Sequence, residues 1–129
     1  MRPDKAKARS LLSAAAQDIR TAQELTIRKH TARTVVRNIY EAFRMLGEAR
    51  LALAAIKSGD HDTQLQEVLR LEIHTTPPLR NLEHLKQLRH AINYKGYQPE
   101  SEEVREALLL AQLVFPVCLQ AVTRECEQS

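Results

Sequence analysis

Tryptophan is absent from these 129 residues, and only two phenylalanines and three tyrosines are present. Any core must therefore be built from aliphatic side chains, which the 43% hydrophobic content readily supplies. Three glycines and five prolines leave little of the turn chemistry that a β-rich fold spends at each hairpin. No run of 18 apolar residues occurs, so no membrane span is expected. The opening Met1-Arg2-Pro3-Asp4-Lys5 leads into an amphipathic helix rather than the apolar stretch of an export signal. Cys118 and Cys126 lie on one predicted helix. At that separation they stand about 12 Å apart, too far for an intrachain disulfide. Two free thiols and no export signal fit a reducing cytoplasm.

What is present reads as helices. Length alone indicates a single domain spanning 1–129 with one hydrophobic core. Leu11, Leu12, Ala15, Ile19 and Ala22 recur at helical spacing and predict a helix from about Asp4 to Leu25. Val35, Val36, Ile39, Ala42, Phe43, Leu46, Ala49 and Leu53 predict a longer one from about Thr31 to Lys57, with Gly59 as a C-cap. A short helix from Asp62 to Glu72 follows, then a linker broken by Pro77 and Pro78. A fourth helix spans Leu79 to Tyr94, and Lys95-Gly96-Tyr97-Gln98-Pro99 forms a turn. Ser101 is expected to cap a last helix reaching Glu125, in which Pro116 should kink the axis or leave a carbonyl unpaired. The expected architecture is an all-α, antiparallel bundle of four long helices and one short one.

Charge is unevenly shared. Up to Lys57 there are twelve Lys and Arg against five Asp and Glu, and beyond it seven against eleven. A basic half and an acidic half suit an anionic ligand, or complementary faces in an oligomer. On the second helix, Arg33, Arg37, Tyr40 and Arg44 fall in one angular sector, opposite the Ile39/Leu46 face. Facing solvent, three guanidinium forks around an aromatic ring would bind phosphate and stack a base. The same sector also reads as a solvated surface where Arg37 and Arg44 pair with Glu41 and Glu48.

Familiar catalytic and metal-binding signatures are missing. His30, His61, His74, His84 and His90 are scattered, with none at a metal-ligating spacing beside a carboxylate, so no metal or cofactor is expected. There is no glycine-rich phosphate loop and no nucleophile elbow. The stretch from Leu88 to Pro99 stands out instead. Arg89 and Asn93 project from one helical face at the edge of the Leu82, Leu85, Leu88 and Ile92 stripe. A cation at a buried edge is costly unless something pairs with it. Glu41, an opposing carbonyl or an anionic ligand would each serve.

Two segments carry a family resemblance: 35–44 on the long helix (Val-Val-Arg-Asn-Ile-Tyr-Glu-Ala-Phe-Arg) and 89–97 (Arg-His-Ala-Ile-Asn-Tyr-Lys-Gly-Tyr). With these, the chain resembles the HEPN domains (higher eukaryotes and prokaryotes nucleotide-binding), of the small stand-alone bacterial and archaeal type. That resemblance implies a dimeric helical bundle. Many such members are ribonucleases with an Arg followed four to six residues later by His, often toxins paired with a small nucleotidyltransferase. Arg89 matches the arginine and Asn93 the polar residue inside the motif, but Tyr94 stands where the histidine is expected. His90 follows Arg89 directly and points about 100° away.

The leading expectation is a non-catalytic, homodimeric HEPN-like domain. It would bind a nucleotide, RNA or a protein partner through Arg89, Asn93 and Tyr97 together with Arg33, Arg37, Tyr40 and Arg44. One alternative is a metal-independent ribonuclease using Arg89, Asn93, Tyr94 and His90, the last acting from the other protomer. Another is a structural adaptor for a nucleotidyltransferase. The homodimer expectation also rests on the sparse aromatic core and on Arg89 and Tyr94 at a stripe edge, which a symmetric contact would bury.

Overall fold

A computed structural model of the chain describes residues 2–129, which are mostly helical with no strand among them. Helix α1 (Lys5–Glu24) begins where the Asp4 carboxylate accepts a hydrogen bond from the Lys7 N–H (2.9 Å). It turns Ala8, Leu12, Ala15, Ile19 and Ala22 inward. Helix α2 (Ala32–Leu53) runs back along it, and the Asp4 N–H reaches the Ala52 carbonyl (2.9 Å), so the two are antiparallel. Helix α3 (His61–Leu69) is short, and α4 (Leu82–Lys95) follows one 3-10 turn at Leu79–Asn81.

The C-terminal segment consists of α5 (Ser101–Leu109), a π-turn (Leu110–Val114) and α6 (Phe115–Glu127), continuous as one helix of 27 residues. Arg33 at the start of α2 meets the end of α4, whereas Arg50 near the end of α2 grips Glu125 near the end of α6. The long helices therefore alternate in direction along the chain, giving the expected antiparallel bundle of four long helices and one short one.

Helix α2 is the hub, packed against every other helix. Its residues 42–47 are buried without a break, so over those turns it has no solvent side. The sequence pattern predicted one apolar face and an outward polar sector. That sector is covered instead: α3 and α4 lie over it, leaving Tyr40 and Arg44 only 3% and 9% exposed. The buried Arg44 guanidinium is satisfied by Glu41, by Glu48 (2.7 Å) and by the Gln64 amide oxygen. A cation can be buried here because each side of its fork meets an acceptor.

Several helix ends differ from the sequence expectation. Helix α2 stops at Leu53 rather than near Lys57, and Gly59 is not its cap. The Ile56 N–H bonds the Leu51 carbonyl (2.8 Å) and the Ala55 N–H bonds the Ala52 carbonyl (3.1 Å), with Ala55 at φ 60°. This is a Schellman turn with alanine in the left-handed position that glycine usually fills. Helix α3 ends at Leu69 rather than Glu72, because Leu71 leaves the helix to enter the core. Gly96 ends α4 at φ 63°, as the sequence suggests. Glu100, not Ser101, is the N-cap of α5, and its N–H donates to the Glu103 carboxylate (2.9 Å). Pro116 lies in the first turn of α6, where its missing donor is absorbed by the π-turn before it.

By length and composition the helix Ser101–Glu127 is apolar enough to cross a membrane, although Glu106 and Arg124 confine its uncharged stretch to 107–123, shorter than the unbroken run the sequence reading required. Its inner side, from Val104 and Ala107 to Cys118 and Val122, is built into the core.

Candidate functional site

The sector of α2 that the sequence singled out forms a ladder against α4. The Arg33 Nε donates to the Tyr97 carbonyl (3.2 Å), and a second guanidinium nitrogen donates to the Gly96 carbonyl (3.1 Å). One turn on, the Arg37 Nε donates to the Asn93 Oδ1 (2.8 Å). The next rung places the Arg89 guanidinium over the Tyr40 ring, 4.8 Å from its centroid. These rungs pair rising positions on α2 with falling positions on α4, as antiparallel helices require. Arg33, Arg37, Arg44 and Asn93 are thus engaged in holding helices together. Arg44 does pair with Glu41 and Glu48 as one sequence reading allowed, but buried; Arg37 pairs with neither and turns to Asn93.

Arg89 differs from the others. Among the described residues its side chain makes no hydrogen bond and no ion pair; its one specific contact is the Tyr40 ring. Glu41 spends its carboxylate on Arg44 instead, and that hydrogen bond, ahead of an opposing effect of burial, holds the Glu41 carboxyl below its usual range. Burial pushes the Tyr40 phenol up, against the pull of Arg89 and Arg44. An aromatic face lowers the cost of a half-buried guanidinium without consuming its N–H donors. Those donors remain available at the rim.

Around Arg89 the helices leave a cleft lined by Tyr40 from α2, His61 and Asp62 from α3, and Lys86, His90, Tyr94 and Lys95 from α4. His90 and Tyr94 stand one turn apart with ring centroids 4.6 Å apart, and Tyr94 is 70% exposed. Lys86 is paired with Asp62, a hydrogen bond that raises its ammonium pKa. Arg89 and Lys95 are left as cations without a carboxylate among the described residues. The cleft thus offers positive charge, two imidazoles and an open aromatic ring.

The candidate residues therefore divide among three places. Arg89, His90, Tyr94 and Tyr40 share the cleft. Arg33, Arg37, Arg44 and Asn93 clamp helices, and Asn93 is not part of the cleft wall. Tyr97 lies across α4, in a groove shared with α5, where its hydroxyl donates to the Glu103 carboxylate (2.6 Å) and its pKa is pushed up to about 12. His61, Lys86 and Lys95 join the cleft without having been singled out by sequence. Lys95 follows Tyr94 directly and was legible there; His61 arrives from another helix and left no local signal. No group of three His, Cys, Asp or Glu able to hold a metal occurs among the described residues. The chain matches no protein-family model, no curated protein and no solved structure.

Proposed function

We propose that this chain is a HEPN-like helical domain that binds an anionic ligand, a nucleotide or a short stretch of RNA, in the Arg89 cleft without cleaving it. The observation that carries this reading is the Arg89 guanidinium, stacked on Tyr40 with its N–H donors unspent. Phosphate oxygens suit that fork, Lys95 adds charge at the rim, and the exposed Tyr94 ring offers a face on which a base can stack. Cleavage through a 2′-hydroxyl calls for an acid and a base that titrate near neutrality, the usual work of imidazole. Tyr94 occupies the place where the resembling motif carries its histidine, which favours binding over catalysis.

Fluorescence anisotropy with a labelled RNA oligonucleotide and with ATP, in the presence of a chelator, tests the reading. Arg89→Ala should weaken binding by roughly 1.5–3 kcal/mol, the scale of charged hydrogen bonds, and the RNA should stay intact. Equal binding by wild type and variant would remove the cleft from the account.

His61 and His90 line the same cleft, which supports a second reading as a metal-independent ribonuclease. Chelator-resistant cleavage that disappears in both Arg89→Ala and His61→Ala would establish it.

A further inference from the structure

Helix α4 has a recess on either side, and the two are opposite in charge. The Arg89 cleft occupies one side; on the other, a groove of about 690 Å³ lies between α4 and α5. Gln87 and Ala91 line both and so stand on the ridge that divides them. Leu85, Leu88 and Leu110 give the groove an apolar floor, and Leu109 forms its lip, 41% exposed. Glu103 and Glu106 supply its charge, with the Tyr97 ring beside them. Among the described residues no Lys or Arg lines it.

These carboxylates are only partly used. Glu103 and Glu106 are three residues apart on α5 and so share a face. The Tyr97 hydroxyl (2.6 Å) and the Glu100 N–H (2.9 Å) both donate to one Glu103 oxygen, Oε1. Among the described residues Glu103 Oε2 accepts nothing, and the Glu106 carboxylate has neither a hydrogen bond nor an ion pair. Arg105, which stands between them in sequence, turns to Glu102 instead (2.8 Å).

We propose that this groove binds an organic cation: a small amphiphilic amine whose ammonium group meets Glu103 and Glu106 while its apolar body lies on the leucine floor. The volume falls within the roughly 300–1,000 Å³ of small-molecule sites. Charge selects the head group, because two carboxylates without a lining Lys or Arg attract a cation and repel an anion. An aromatic ring beside them adds to the attraction for ammonium. The floor selects the body. A polyamine or a hydrated metal ion would satisfy the carboxylates but leave the leucines in water. An uncharged apolar molecule would cover the leucines but strip water from carboxylates left unpaired. Only a ligand with both parts answers both walls. The inference goes beyond the Arg89 cleft and does not depend on what that cleft binds. It also gives a place to Tyr97, which the sequence grouped with Arg89.

Isothermal titration calorimetry with octylamine, octanol and spermidine tests the assignment, with amide NMR shifts locating the site. Octylamine should bind saturably, shift amides within 84–91 and 103–110, and bind about tenfold more tightly than octanol or spermidine. Glu106→Gln and Leu109→Ala, both at exposed positions, should fold, as circular dichroism verifies. The first should weaken octylamine about tenfold by removing a charged partner. The second should weaken it severalfold by removing apolar contact. Absence of saturable octylamine binding overturns the proposal, as do shifts that fall outside the groove. Octanol binding as tightly as octylamine would make the groove a purely apolar site, and spermidine binding as tightly would make it an acidic patch; either overturns the assignment. Undiminished octylamine binding in either variant does so as well.

Discussion

The Cβ position of Gly47 lies 1.6 Å from the backbone carbonyl oxygen of Gln64 and 2.6 Å from its carbonyl carbon. Helix α3 therefore rests on α2 at a point where only a hydrogen atom fits. The blocking atoms are backbone, so no side-chain rotation relieves the clash. Gly47→Ala should separate the two helices and disturb the Arg44–Gln64 contact beside them. A loss of roughly 3 kcal/mol in urea-unfolding free energy is expected, the upper scale of overpacking. An unchanged midpoint would mean that α3 does not seat there.

Ala55 offers the opposite experiment. Its φ of 60° in the Schellman turn is strained for an L-residue by about 1–2 kcal/mol. Glycine removes that strain but gains freedom in the unfolded chain worth about 0.5–1 kcal/mol. Ala55→Gly should therefore raise the urea-unfolding free energy, by up to about 1.5 kcal/mol. A lowered midpoint would contradict the left-handed turn.

These two positions also show how far the sequence could be read. Helix number, order and inward faces were legible because Leu, Ile, Val and Ala recur at helical spacing in each segment. The end of α2 was not, since Ala55 adopts the conformation for which Gly59 was the obvious candidate. The larger misreading concerned Tyr40 and Arg44. Periodicity tells which side of a helix is apolar, but it does not tell how many neighbours cover the other side. Likewise Arg89 was conspicuous as a cation on a stripe edge, whereas His61 enters the cleft only through the way α3 folds back over α2.

Acid should act on the protein through Glu41. Its carboxyl is held below the ordinary 4.5 by the Arg44 hydrogen bond, so this contribution is complete above that value and is lost as pH falls through the lowered one. Asp18 works against it: burial raises its pKa, so its ionised form opposes folding near neutrality and protonation relieves the cost. Glu41→Gln should be less stable than wild type at about pH 7, by no more than about 1 kcal/mol after solvent screening, and the difference should shrink as pH falls through the lowered value. Asp18→Asn should be more stable at neutral pH. Parallel urea titrations at neutral and progressively acid pH decide both.

Thiol chemistry should be silent in the folded state. Cys118 is fully buried with its pKa pushed up to about 12 by desolvation, and Cys126 is 3% exposed. Both are free. A chromogenic disulfide reagent at mildly alkaline pH should find no reactive thiol until guanidinium unfolds the chain, and then two. Rapid labelling of the native protein would mean that α6 opens.

Because 42–47 has no solvent side, the usual striped record of tolerated changes should break down there. Along the other helices, a saturation scan of viable substitutions should alternate between permissive and intolerant positions every three or four residues. Across these six it should show a solid intolerant block in which even lysine, the commonest surface replacement, finds no place to extend. Variation within this protein's lineage would then have to enter through the outer helices, with the central one acting as the mould to which they conform.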